Sequence, residues 1–203
     1  MASLISSDLA VSLDGFVAGP NQTLEKPFGD GVDGRLHRWM FEAREDNAAE
    51  LKAIVAHKAY IMGRNMFSPG RGEWDTSWRG WWGEDPPYHA PVFVLTHHKR
   101  DPLPMQGGTT FHFVTDGIDS ALRQAKAAAG GGSIGIAGGA NVVRQYLQAG
   151  AIDELRLHIA PVVIGAGERL LDGLVDLTLE PIAARHTPLV THVRYRVLRK
   201  QGA

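Results

Sequence analysis

The chain has no cysteine. Disulfides, thiolate nucleophiles and Cys-based zinc or iron–sulfur sites are therefore excluded. Charge of one sign is missing too: 21 Lys and Arg against 22 Asp and Glu leave a formal net charge of −1. No broad basic surface for nucleic acid or anionic lipid is expected. Long apolar runs are absent. The longest, around 159–167, falls well short of the ~18–20 residues of a membrane span and is broken by Pro161, Gly165 and Gly167. The opening MASLISSDLAVSLDG has no basic stretch and carries Asp8 and Asp14, unlike a secretory signal. A cytoplasmic protein without membrane or nucleic-acid partners is the expectation.

What is present is a globular balance, 44% hydrophobic and 21% charged, which excludes a mainly disordered chain. A length of 203 residues fits one domain, taken as 1–203. Glycine is in excess: 24 residues, against the ~7% usual in globular proteins. These glycines cluster beside strand-like segments, and that is where chemistry is sought.

Strand-like and helix-like stretches alternate, the pattern of an α/β domain. Strands are expected over 4–11, 60–62, 92–95, 111–115, 133–137, 154–159, 177–184 and 190–198. Helices are expected over 36–44, 47–57, 119–129 and 141–149. In the second of these, Ala48, Leu51, Ile54 and Val55 form an apolar stripe. The sheet is expected to hold about eight strands, mostly parallel. Its last two are joined near Pro188 as an antiparallel hairpin at the edge. A loop over 19–33 and a longer one over 68–91, with four Trp, are too long for mere connections.

Three expected strands end in turns suited to phosphate. Gly138-Gly139-Ala140-Asn141-Val142 joins a strand to a helix through two glycines. Backbone amides approach a ligand closely there, at a helix N-terminus that favours an anion. Gly63-Arg64-Asn65-Met66 places a guanidinium fork after a strand. Leu95-Thr96-His97-His98, with Lys99 and Arg100, is a local basic patch. Alone, the first reads equally as a tight strand-to-helix turn, the second more readily as a surface Arg in a turn, and the third also as a solvated turn. Together, at the carboxyl ends of strands, they fit a ligand with several phosphates, such as a dinucleotide. No metal site is expected, because adjacent His97 and His98 diverge on extended backbone and no third ligand is near. A fourth segment, Ser12-Leu13-Asp14-Gly15-Phe16-Val17, follows the first strand. Its Asp14 reads as a catalytic acid or as a turn cap.

Taken together, AVSLDGFVAG, IMGRNMF, VFVLTHH, IAGGANVVRQYL and IAPVVIGAGERLLDG resemble the dihydrofolate-reductase-like superfamily. They are most similar to the reductase domains of bifunctional riboflavin-biosynthesis deaminase-reductases, from about residue 4 to 199. The resemblance implies a three-layer fold with a mixed, mostly parallel sheet. It also implies NADPH bound along the sheet edge and a homodimer. By it, Gly63, Arg64, Asn65 and Met66 contact the adenosine phosphate and pyrophosphate. Leu95, Thr96, His97 and His98 cradle the 2′-phosphate, and Gly138, Gly139, Ala140, Asn141 and Val142 sit at the pyrophosphate. Ser12, Gly15, Phe16 and Val17 lie near the nicotinamide.

The expected activity is hydride transfer to a C=N, C=O or C=C of a small planar or sugar-like substrate. This would resemble 5-amino-6-(5-phosphoribosylamino)uracil reduction. Asp14 is the first candidate for proton donor, followed by Asp33, His37 and Glu42. Trp39 and Trp82 are the candidate walls for the substrate. The alternative is a nucleotide-binding sensor or interaction protein of the same fold without turnover.

Overall fold

The structure, a computed structural model, describes residues 3–198. Residues 1–2 and 199–203 of the expected domain, and the last residue of the resemblance, lie outside the described residues. In chain order the elements are β1 (Ile5–Ser12), β2 (Phe16–Ala18), α1 (Arg38–Glu42), α2 (Ala48–Ile54), β3 (Ala59–Gly63) and α3 (Arg64–Phe67). They continue with β4 (Pro91–Leu95), β5 (Leu103–Pro104), β6 (Thr110–Val114), α4 (Ile118–Ala129), β7 (Ile134–Gly138) and α5 (Ala140–Gln148). The last are β8 (Glu154–Ala160), β9 (Glu168–Arg169), β10 (Thr178–Thr187) and β11 (Val190–Leu198).

Strand alternation divides β1 between two environments. Ile5, Leu9 and Val11 enter the main core. Ser6, Asp8 and Ala10 turn to the opposite face. The sheet order is β10-β11-β8-β1-β7-β3-β4-β6-β5. From β8 to β6 every pairing is parallel, while β11 and β10 run antiparallel to their neighbours, as does β5. Helices α4 and α5 cover one face. Ala121, Ala125 and Ala129 of α4, with Val142, Val143, Tyr146 and Leu147 of α5, bury against β1, β3 and β7. The other face carries a second core of Tyr60, Met62, Phe67, Tyr88, Val92, Val94 and Phe111.

This is the expected mixed, mostly parallel sheet with an antiparallel C-terminal hairpin, three layers deep. Among the described residues the sheet has nine strands where about eight were expected, and β2 pairs with β9 outside it. These additions are two or three residues long, too short to show a period. Pro181 sits at a bulge on the edge strand β10, where a missing N–H costs least.

One expectation changes. The apolar stripe of α2 reaches no core: no residue of that helix is buried, and Leu51, Ile54 and Val55 face a shallow groove with Met40 and Pro87. On β11, Val193 and Tyr195 pack against the main core. Among the described residues, no helix is long and apolar enough to cross a membrane.

Ile136 lies at the centre of β7 and is fully buried. Ile136→Ala is expected to cost about 2–5 kcal/mol of folding free energy through lost burial and a residual cavity. Urea unfolding of both proteins measures it.

Candidate active site

Adjacent parallel strands end level with one another here. Gly63 of β3 pairs with Leu95 of β4, and Met62 of β3 pairs with Gly138 of β7. Strands lie about 4.8 Å apart, so three neighbouring ends span about 10 Å of sheet edge. The turns 63–66, 95–98 and 138–142 therefore open side by side on one cavity of about 1160 Å³, and every residue of all three lines it.

Small residues make the approach possible. A side chain at Gly63 would begin 2.9 Å from Cγ2 of Val142, so only glycine lets β3 pass the start of α5 this closely. Gly138 has φ +119, which residues with a Cβ rarely adopt. The peptide joining it to Gly139 is cis. Gly139 is extended and precedes α5, whose first amides, those of Ala140 and Asn141, have no carbonyl within the helix to bond. These donors and the helix field are at the cavity.

Arg64 is held flat against Trp74, 4.1 Å from the ring centroid, and one Nη donates to the Glu73 carbonyl at 3.4 Å. Its Nε is buried without a partner. Burial, aided by nearby Arg71, lowers the guanidinium below its ordinary value. Asn65 accepts a bond from Arg71 at 2.5 Å. In the next turn Thr96 is buried and its Oγ1 accepts the His98 amide at 3.1 Å. His98 Nδ1 lies 3.0 Å from the Glu73 carboxylate, so this ring nitrogen is already partnered. His97 is exposed at the cavity rim.

The segment after β1 divides. Val17 lines the cavity, whereas Ser12, Asp14, Gly15 and Phe16 do not. Ser12 Oγ accepts the Phe16 amide at 2.8 Å, and Phe16 is buried under the Arg169 guanidinium. Asp14 accepts the amides of Gly165 at 2.7 Å and Ile164 at 3.1 Å. The Ser12 hydroxyl and then these amides hold its carboxyl down to about 2. Asp14 thus braces one loop against another and holds no proton to donate near neutrality. Glu42 is exposed and paired with Arg38, and Asp33 is exposed in a turn at φ +44. His37 does line the cavity, and burial depresses it to about 4.

Both candidate tryptophans line the cavity. Trp39 is buried against His158 and His192, with ring centroids 4.8 and 5.2 Å away. Trp82 stacks on Phe111 at 5.7 Å. The rest of the Trp-rich loop mostly packs on the protein itself. Trp74 donates to the His98 carbonyl and Trp78 to that of Phe67, each at 2.8 Å. Arg100 ties the loop down by donating to the Trp78 carbonyl at 2.7 Å.

Residues 4–193 match the model of the RibD C-terminal domain. The chain belongs to the RibD C-terminal domain family. A search of curated proteins finds no match. Among solved structures, a riboflavin biosynthesis protein from Shewanella sp. PV-4 superposes with a TM-score of 0.67 at 21% identity, over 98% of this chain and 100% of that one. A pyrimidine reductase-like protein from Corynebacterium diphtheriae gives 0.56 at 16%, over 98% and 93%. A diaminohydroxyphosphoribosylaminopyrimidine deaminase/5-amino-6-(5-phosphoribosylamino)uracil reductase from Thermotoga maritima gives 0.56 at 14%. That match covers 97% of this chain but 57% of the bifunctional one. At these identities the superpositions establish the fold.

This RibD C-terminal domain also brings residues to the cavity that motif reading passed over. Asp8 of β1, His57 before β3 and His158 of β8 line its floor, and Gln22 and Phe28 of the 19–33 loop line another wall. A signal existed for Asp8: a lone carboxylate in the middle of an otherwise uncharged strand.

Replacing Asp14 with Asn should destabilise the fold at neutral pH. The folded state favours the ionised carboxyl, so its contribution is complete above the ordinary value of 3.8 and fades as pH falls through about 2. Urea midpoints of the two proteins should differ at pH 7 and converge toward pH 2. A constant gap across that range would contradict the bracing role.

Proposed function

We propose that this RibD C-terminal domain is an NADPH-dependent reductase acting on a small planar or sugar-like substrate. The observation that carries the reading is the convergence of three turns, 63–66, 95–98 and 138–142, on one cavity. Family membership supports a reductase of the riboflavin type. The structural neighbours' names mention pyrimidine and 5-amino-6-(5-phosphoribosylamino)uracil reduction, and that substrate class enters here as part of the proposal.

The residues present fit a dinucleotide. Arg64, whose buried Nε has no partner, and the first residues of α5, whose amides have no acceptor within the helix, line a cavity with room for a long ligand. Arg64, Arg71 and His97 would hold phosphate, and the two guanidinium charges favour NADPH over NADH. Glu73 works against this by pairing with His98. A nicotinamide cofactor supplies the hydride when bound. The chain's own part is to orient and to exclude water. Val17 and Ala18 form one wall beside β1, and Trp39 and Trp82 present flat apolar surfaces to a planar group. The proton that completes the reduction comes from a group other than Asp14, whose carboxyl is committed to the loop at 164–165.

Calorimetric titration tests the reading. NADPH should bind more tightly than NADH, and Arg64→Ala should weaken NADPH by about tenfold, the loss of one charge-assisted contact. Binding of neither nucleotide would overturn it. Binding without oxidation of NADPH by any aminopyrimidine or carbonyl compound in a substrate panel would favour a nucleotide sensor instead.

A further inference from the structure

The floor of the cavity holds a polar cluster that none of the cofactor turns uses. Asp8 of β1, with a side chain only 7% exposed, stands beside His57 and His158, each 5% exposed. Its two oxygens face different neighbours. Oδ2 is 3.7 Å from the Arg156 guanidinium and 3.8 Å from His57 Nε2. Oδ1 faces His158 Nε2 at 3.9 Å. That nitrogen is buried and has no hydrogen-bond partner.

A chain of hydrogen bonds behind His158 determines which of its nitrogens carries hydrogen. Asn47 is fully buried, and its Nδ2 donates to the Ala43 carbonyl at 2.6 Å, so its Oδ1 is the accepting atom. His192 Nε2 lies 2.7 Å from that Oδ1 and must donate to it. Burial depresses both imidazoles, His158 to about 4, so both are neutral near pH 7. A neutral ring donates from one nitrogen only. His192 Nδ1 is therefore a lone pair, and His158 Nδ1, 2.7 Å away, donates to it. The remaining nitrogen of His158, Nε2, carries a lone pair directed toward Asp8. Thr187 strengthens the start of this chain by donating to Asn47 Oδ1 at 2.7 Å.

A buried imidazole lone pair and a carboxylate oxygen, 3.9 Å apart, thus face each other at the end of a ligand-sized cavity. An ionised carboxylate has no hydrogen for the imidazole, and leaving the His158 lone pair buried and unanswered is costly. One atom bearing two hydrogens can sit about 2.9 Å from both and donate to each. A hydroxyl has one hydrogen and answers only one of the pair, whereas a primary amino group answers both.

We propose that Asp8 Oδ1 and His158 Nε2 form a binding subsite for a primary amino group of the substrate. The subsite deepens the reductase reading and rests on it only for the word substrate; the acceptor pair stands on its own geometry. Asp8 and His158 contact the amine. His192 and Asn47 are positioning residues that hold the tautomer.

The test uses the full chain and two small probes of matched shape, 2-aminopyrimidine and 2-methylpyrimidine, titrated by calorimetry and ligand-observed NMR. The amine is expected to bind about tenfold tighter than its methyl counterpart, the effect of charge-assisted hydrogen bonds at a buried site. The preference should vanish in Asp8→Asn, whose amide presents a donor, and in His158→Phe, which keeps the ring against Trp39. Thermal melts establish that each variant is folded, and two chemically different variants guard against the failure of one. Equal binding of the two probes, no binding of the amine, or a preference surviving in both variants would overturn the proposal. The last result would mean that water alone fills the gap. NADPH titration of the unaltered protein reports separately on the reductase reading, because a protein that binds the amine but no nucleotide keeps this subsite and loses that function.

Discussion

Three parallel strands that end level, β7, β3 and β4, force three loops to leave the sheet at one edge within about 10 Å. Parallel pairing fixes the direction of the strands, and the ladder register fixes where they stop. The close contact of Gly63 with Val142 then seats the start of α5 against the end of β3. From this follow the position of the helix amides, the reach of Arg64 and the shape of the cavity. A side chain at Gly63 would press the first turn of α5 away from the sheet and separate two of the three turns.

Electrostatics at that edge are tempered from within. Trp74 covers Arg64, Glu73 answers His98, and Arg100 is spent on the carbonyls of the Trp-rich loop. The basic patch seen as a run of residues is thus partly a structural fastening. The opposite end of the cavity is organised differently, by a buried relay from Asn47 through His192 to His158. That relay spans α1–α2, β11 and β8, and it couples the antiparallel half of the sheet to the cavity floor. One end of the cavity offers donors for an anion; the other offers acceptors.

The major strands and helices were legible because their periodicity is strong: β11 spans 190–198 as expected, and α4 buries Ala121, Ala125 and Ala129 as its stripe requires. The three Gly- and His-bearing turns were legible as motifs, and their meeting followed from strand order. Two things were not. Asp14, before Gly15, reads as a catalytic acid or, more readily, as a turn cap, and only the distant amides of residues 164–165, 150 positions away, show it as a brace between loops. The floor cluster joins residues 8, 57, 158 and 192, a set with no local spacing to reveal it. The α2 stripe misled because periodicity reports an apolar face and not whether anything covers it.

The cofactor reading requires one ligand to engage all three turns at once. Hydrogen–deuterium exchange with and without NADPH tests it most directly. Protection is expected together at residues 63–66, 95–98 and 138–142, with the β10–β11 hairpin unchanged. Protection confined to one turn, or to a surface away from this edge, would contradict it.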